Sequence, residues 1–229
     1  MATHGSRKKT ANLLHEHQYY AIGCRLIVGI DEAGRGAWAG PVAAGAVCLP
    51  LDNRDLSKIM RGVNDSKQLS APQRSNLVDK IRATAITWGV GSSSHQEIDT
   101  DGILPATHRA MERALEDALA RQPGMRPDAL FIDATLIPAL FRIPQVSLIG
   151  GDARSLSIAA ASILAKVWRD REMDTYDATY PQYGFISNKG YGGGEMSLHH
   201  RALKEFGPSP IHRMTFAPVA ASLRRENSP

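Results

Sequence analysis

Three short apolar runs end on acids, and this recurrence constrains the fold more than any other feature of the chain. Residues 25–30 (RLIVGI) lead into Asp31 and Glu32, residues 129–132 (ALFI) into Asp133, and residues 145–149 (QVSLI) through two glycines into Asp152. Runs of this length, rich in β-branched residues, read as buried strands. Two further runs, residues 41–48 (PVAAGAVC) and 86–91 (ITWGVG), have the same character. Helical periods lie between and after them. Ser70 and Pro72 open a segment with apolar Leu77, Val78, Ile81 and Ala85, an N-cap with proline in the first turn. Residues 105–121 carry Ala110, Ala114, Leu115 and Ala118 on one stripe. After Ser155 a long pattern through Ile158, Ala161, Ser162, Ala165 and Trp168 is rich in small residues, as a helix lying closely across a sheet requires. Residues 180–194 read as a Gly/Tyr-rich loop, and residues 195–206 as a last helix stopped by Gly207 and Pro208. Strands intermixed with helices predict an α/β layer fold, a mixed central sheet flanked by helices.

Acids at three strand ends can converge on one point, because ligand sites in α/β sheets lie off strand ends. Gathered without a counter-charge, Asp31, Glu32, Asp133 and Asp152 would repel one another; divalent cations remove that conflict. An all-oxygen donor set suits Mg²⁺ or Mn²⁺, and two such ions support phosphodiester hydrolysis. Singly, each acid is as well explained as a turn or cap residue. Asp31 and Glu32 are consecutive, so the strand must end or turn there for both to serve one site, which Ala33 and Gly34 permit. Residues 34–39 (GRGAWA) also satisfy the GxGxxG/A dinucleotide fingerprint. Two acids beside a pyrophosphate, Pro41 in the required helix and the strand-like PVAAGAV oppose that reading. Close backbone approach to a sugar-phosphate chain uses the same glycines better.

Composition narrows the class. Of 229 residues, 43% are apolar and 22% charged, which is the make-up of one globular domain. Cys24 and Cys48 show no disulfide framework or metal-ligand spacing, and no run suits a membrane span or signal peptide, so a soluble cytoplasmic protein, monomeric by default, is expected. The net charge of +4 resides in Arg7, Lys8 and Lys9 (+3) and in Arg224, Arg225 and Glu226 (+1), while the body is neutral. Residues 1–22 read as a basic tail, whether a nucleic-acid-binding arm, a solvated end or a transit peptide. Residues 23–220 read as one domain whose last part, from about 176, is a C-terminal helical segment, and 221–229 as a second tail.

The motifs together carry a resemblance. GIDEAGRGAWAGPV (29–42), NDSKQLS (64–70), FIDA (131–134), GDARSLSIAAASILAKV (151–167), Arg169-Asp170, NKGYG (188–192) and GPSPIHRMTF (207–216) are similar, in order, to the blocks of bacterial ribonuclease HII. The resemblance implies an RNase H-like fold with a C-terminal helical segment. It implies an endoribonuclease that hydrolyses the RNA strand of RNA–DNA hybrids and nicks 5′ of ribonucleotides embedded in duplex DNA, leaving 5′-phosphate and 3′-OH. Asp31, Glu32, Asp133 and Asp152 match the metal-binding catalytic acids. Gly34, Arg35 and Gly36 match the loop that reads the 2′-OH, Tyr191 matches the tyrosine that stacks on the neighbouring deoxyribose, and Lys67 matches a phosphate-contact position. This accords with recognition of RNA through its 2′-OH and with a sequence-tolerant aromatic platform. A catalytically inactive nucleic-acid-binding module is the alternative; the complete acid set opposes it.

Three departures stand out. Ala37-Trp38 replaces the commoner Pro-Leu, Ala134 stands where glycine often follows the third aspartate, and residues 192–198 (GGGEMSL) extend a shorter loop by about three residues, leaving His199 to take the family histidine position. Lys166 reads as a phosphate contact or a solvated lysine, Asp170 as a surface ion pair with Arg169 and Arg171, and Asp65 as a turn or cap residue. His199, His200 and His212 lack zinc-ligand spacing and read as packing or nucleic-acid contacts.

Overall fold

The computed structural model describes residues 10–225, apart from the side chains of Arg224 and Arg225. At its centre is β1 (Ile27–Ala33), within a five-stranded sheet of order β3-β2-β1-β4-β5. β2 (Val42–Cys48) and β3 (Thr87–Ser93) continue from β1 antiparallel, whereas β4 (Ala129–Asp133) and β5 (Gln145–Leu148) pair parallel on its other side. This is the expected mixed sheet. Alternation along β1 sends Val28 and Ile30 to the face covered by α5 (Ile103–Arg121), and Ile27 to the face covered by α6 (Leu156–Thr179). Both helices lie directly on strand backbone. A Cβ at Gly29 would come within 2.3 Å of the Ser157 carbonyl carbon, and one at Gly45 within 2.3 Å of the Ala161 oxygen. Gly89 and Gly91 give α5 the same approach on the opposite face.

Local chemistry sets the helix starts. Ser70 and Gln73 form a reciprocal capping box on α3 (Ala71–Thr84), and the Ser155 hydroxyl accepts from the Ile158 N–H at the start of α6. Another capping box, Ser94 with Glu97, opens α4 (His95–Asp101), a short helix that the periodicity does not reveal. α2 (Leu56–Ile59) and α7 (Phe185–Asn188) are single turns, the latter inside the stretch read as loop. α8 (Leu198–Phe206) starts later than expected, with Ser197 as its cap. Around α7 and α8 the chain builds a small core of its own from Tyr183, Phe185, Ala202 and Ile211 against Met173 and Ala39.

Both expected tails need correction. Residues 14–21 form α1 (Leu14–Ala21), which is fastened to the start of α6. Buried Glu16 accepts from the Ser155 hydroxyl at 2.6 Å, the Ser157 N–H at 3.0 Å and the Ser157 hydroxyl. The carboxylate thus sits at the positive end of a long helix. The Leu156 N–H donates to Asn12 O, Leu13 is buried, and Tyr19 meets the Phe131 ring edge-on at 5.0 Å. LHEHQYYA has no apolar stripe; a polar anchor leaves no periodic trace in the sequence. At the other end α9 (Ala217–Arg225) runs through half of the second expected tail. Arg7, Lys8, Lys9 and residues 226–229 lie outside the described residues.

Candidate active site

The parallel ladder pairs Ile30 with Ile132, so the next residues, Asp31 and Asp133, stand at neighbouring strand ends. Both share the parity of the α6 face. β1 does not turn at Glu32 as the sequence reading required; it continues through Ala33, paired with Ala43. Glu32 therefore starts from the opposite parity and is the one of the four acids that lines a cleft of ≈ 280 Å³, while Asp31 and Asp133 stand beside it at their strand ends. Asp152 lies in a 3-10 turn between β5 and α6. Gly34, Arg35, Gly36, Lys67, Ser162, Lys166 and Tyr191 complete the cleft walls.

The acids share one field of charge. Burial pushes the Asp31 carboxyl well above its ordinary range, and the charges of Glu32, Asp133 and Asp152 push it further. Burial raises Glu32 too, opposed by its ion pair with Arg35 at 3.2 Å. Asp152 is raised by burial and by Asp65, opposed by Lys67, whose ammonium lies 3.6 Å away. Burial lowers Lys67, but Asp152, Asp31, Asp65 and Asp133 outweigh it and hold the lysine above its usual value. In this geometry each acid faces a local partner: Asp31 accepts from the Glu32 N–H at 2.7 Å and Asp133 from the Gly151 N–H at 2.8 Å. Among the described residues, no three His, Cys, Asp or Glu side chains are drawn together closely enough to hold a metal ion. The donor set nonetheless fits a hard divalent cation. It is all oxygen, it is mutually repelling, and Glu32 Oε2 is buried with no hydrogen-bond partner.

The loop after β1 is held from beneath by two buried arginines. Arg213 donates to the carbonyls of Gly34, Arg35 and Gly40 at 2.8, 2.9 and 3.0 Å. Arg169 donates to those of Ala39, Pro41 and Lys189 at 3.1, 2.8 and 2.8 Å. With its carbonyls held by Arg213, the loop donates no hydrogen bond from the N–H groups of Gly34, Arg35 and Gly36, and these three residues line the cleft. Gly34 adopts φ +95°, and a Cβ there would meet Arg169 Nε at 2.0 Å. No helix follows this loop, which removes the dinucleotide reading.

The sequence reading missed both arginines as loop-holding residues. Arg169 is not a surface partner of Asp170, which pairs instead with Arg74 at 3.3 Å and with Lys166. Arg213 lay in the quoted GPSPIHRMTF block without a role; its adjacency to His212 was the available signal. Lys166 is half-buried in the cleft, 5.8 Å from the Tyr191 ring. Asp65 is the turn residue expected, accepting from the Lys67 N–H at 2.9 Å. His199 and His212 are buried packing residues, with Nε2 atoms 2.9 Å apart. Trp38, a departure from the family pattern, lays its ring on Gly192, where a Cβ would fall 2.0 Å from it. Ala134 takes φ +56°, a left-handed conformation that glycine adopts more cheaply.

Comparison with known proteins agrees with this architecture. The Ribonuclease HII family model matches residues 28–219. The chain is 50% identical over 204 residues to ribonuclease HII of Chloroflexus aggregans, covering 89% of this chain and 92% of that protein. To ribonuclease HII of Lachnoclostridium phytofermentans it is 49% identical over 211 residues, 92% of this chain and 78% of the relative. Among solved structures, ribonuclease H2 of Pyrococcus horikoshii OT3 superposes with a TM-score of 0.65 at 26% identity, over 89% of this chain and 100% of the other. That likeness extends to the RNase H-like fold. Identity at this level across about nine-tenths of this chain, together with the family match, means that the chain belongs to the ribonuclease HII family.

Proposed function

We propose that the cleft cuts a nucleic-acid strand on the 5′ side of a ribonucleotide, whether embedded in duplex DNA or within the RNA strand of an RNA–DNA hybrid. Ribonuclease H activity follows from the family; the division of labour within the cleft is our reading. The observation that carries it is a cleft lined by Glu32, Lys67 and the Gly34–Gly36 loop, beside a buried Asp31 whose carboxyl is pushed up by the charges of Glu32, Asp133 and Asp152.

Asp31, Glu32, Asp133 and Asp152 would hold two divalent cations, Mg²⁺ or Mn²⁺. These supply Lewis-acid stabilisation of negative charge on the attacking and leaving oxygens of phosphodiester hydrolysis, giving 5′-phosphate and 3′-OH ends. The chain does the rest. The amides of Gly34, Arg35 and Gly36 offer donors to the 2′-OH and adjoining phosphate, the chemical mark that separates RNA from DNA. Arg35 steers Glu32 through their ion pair and adds positive charge at the phosphate. Lys67 holds Asp152 towards the cleft and offers its exposed ammonium to the backbone. Tyr191, 38% exposed, presents its ring to the deoxyribose on the 3′ side of the ribonucleotide. Two unpaired cysteines suit a reducing cytoplasm, and the protein acts as a monomer. No described helix is long and apolar enough to cross a membrane.

The test is duplex DNA carrying a single ribonucleotide, incubated with Mg²⁺ or Mn²⁺ and mapped at nucleotide resolution. A metal-dependent nick immediately 5′ of the ribonucleotide is expected. An uncut duplex, or cutting that ignores the ribonucleotide's position, would sink the proposal.

A further inference from the structure

We infer that His212 and His199 form a positioning relay that fixes the height of Tyr191 over the cleft and ties it to the loop of residues 34–36. The inference rests on the substrate-facing role proposed for Tyr191, and it goes beyond that role by naming what sets the tyrosine.

The hydrogen-bond directions follow from one fixed donor. The Ser209 N–H lies 2.9 Å from His212 Nδ1 and can only donate, so this nitrogen is the acceptor, and the Ser209 hydroxyl, 2.8 Å from it, is placed to donate as well. The proton of neutral His212 is then on Nε2, which faces His199 Nε2 at 2.9 Å. His199 must accept there, so its own proton is on Nδ1, 2.9 Å from the carbonyl oxygen of Tyr191. That oxygen can only accept, and the chain closes without a clash. Both rings are neutral: burial lowers His199, and burial together with the neighbouring His199 takes His212 down to about 3. Trp38, Tyr183 and Phe185 pack around the pair and exclude water.

The backbone around Tyr191 has no other freedom. Gly190 O accepts from the N–H groups of Trp38 and Ala39, Gly192 O accepts from the Ser197 hydroxyl, and the Tyr191 N–H donates to Asn188 O. The Tyr191 carbonyl is held by His199, which His212 holds in turn. The next residue after His212 is Arg213, which grips Gly34 and Arg35. Segment 209–213 thus touches both walls of the cleft, one through the imidazoles and the other through the guanidinium. The spacing between tyrosine ring and amide loop is the spacing a sugar-phosphate step must fit.

Nitrogen-15 spectra of the wild-type protein at neutral pH give a direct reading. The relay requires His199 in the Nδ1–H form and His212 in the Nε2–H form; the opposite tautomer on either ring overturns it. The functional reading uses steady-state cleavage of single-ribonucleotide duplex. His199→Phe fills the volume without an N–H and should raise KM about fivefold, the worth of one hydrogen bond, with little change in kcat. His199→Asn, which can present an amide N–H to the same carbonyl, should restore most of the loss. Combined with Tyr191→Ala, His199→Phe should add nothing further, as expected of residues acting in one unit. Unchanged KM in His199→Phe, or additive losses in the double variant, overturns the relay alone. Unchanged KM in Tyr191→Ala overturns the reading of the tyrosine and the relay with it.

Discussion

The two ends of the cleft are built on opposite principles. At the strand ends like charges are brought together, and the fold resists them: Asp31 is 4% exposed among three other acids, and one oxygen of Glu32 is buried with no partner. Around Tyr191 the backbone carbonyls are all engaged, and the two buried histidines are neutral and satisfied. The first region stores electrostatic strain that the proposed cations would relieve. The second is complete without a ligand and serves as a gauge. Repulsion belongs where something must bind, and satisfaction where something must hold still.

The largest expected effect comes from removing repulsion. Asp31→Asn should lower cleavage by a thousandfold or more, roughly 4 kcal/mol of barrier, while duplex binding by gel shift stays close to wild type. The same change should raise the melting temperature of metal-free protein. Burial and the neighbouring acids penalise the charged form of its carboxyl, and the amide carries no such penalty. A metal-free Asp31→Asn protein that melts below wild type would erase the contrast between the two ends. Next in size is the polar anchor outside the cleft. Glu16→Ala strips three donors of their acceptor at the start of α6 and should cost about 3 kcal/mol in urea unfolding.

Protons distinguish the two ends by sign. His212 in the folded chain refuses a proton until about pH 3, whereas unfolded it accepts one near 6.5. Its contribution to stability is complete above that upper value and declines as pH falls through the window, by at most about 1.4 kcal/mol per pH unit. His199 and His95 oppose its protonation, and no carboxylate is among the groups acting on it. Urea titrations between pH 7 and 4 should therefore show a flatter decline in His212→Asn than in wild type; equal slopes would remove His212 as the source. The smallest effect tests backbone strain beside the third aspartate. Ala134→Gly should raise stability by about 0.5–1 kcal/mol, because φ +56° disfavours a Cβ, and a melting curve suffices to check it.

How much of this was legible in the sequence follows from what kind of force holds each part. The strands and α3, α5 and α6 announce themselves through apolar period and caps, since Ser70 and Ser155 act within a few residues of themselves. The strand-end acids are legible for the same reason. Glu16, Arg169 and Arg213 are not. Apart from the Lys189 carbonyl, their partners are hydroxyls, amides and carbonyls 128 to 179 residues distant, and every residue type offers a carbonyl, so no pattern marks the receiving end. Trp38 departs from the family pattern, and only contact shows that Gly192 accommodates its ring.

The glycine contacts between sheet and α6 have a mechanical consequence. Gly29 lies two residues before Asp31 and abuts Ser157, five residues after Asp152, main chain against main chain. A joint of this kind has no compliant layer, because the side chains that cushion other helix–sheet contacts are missing. The separation between these two acids is then a dimension cut to tolerance rather than adjusted by repacking. Heating should leave it unchanged until the fold gives way as a whole, so activity should end abruptly at the melting transition instead of fading ahead of it.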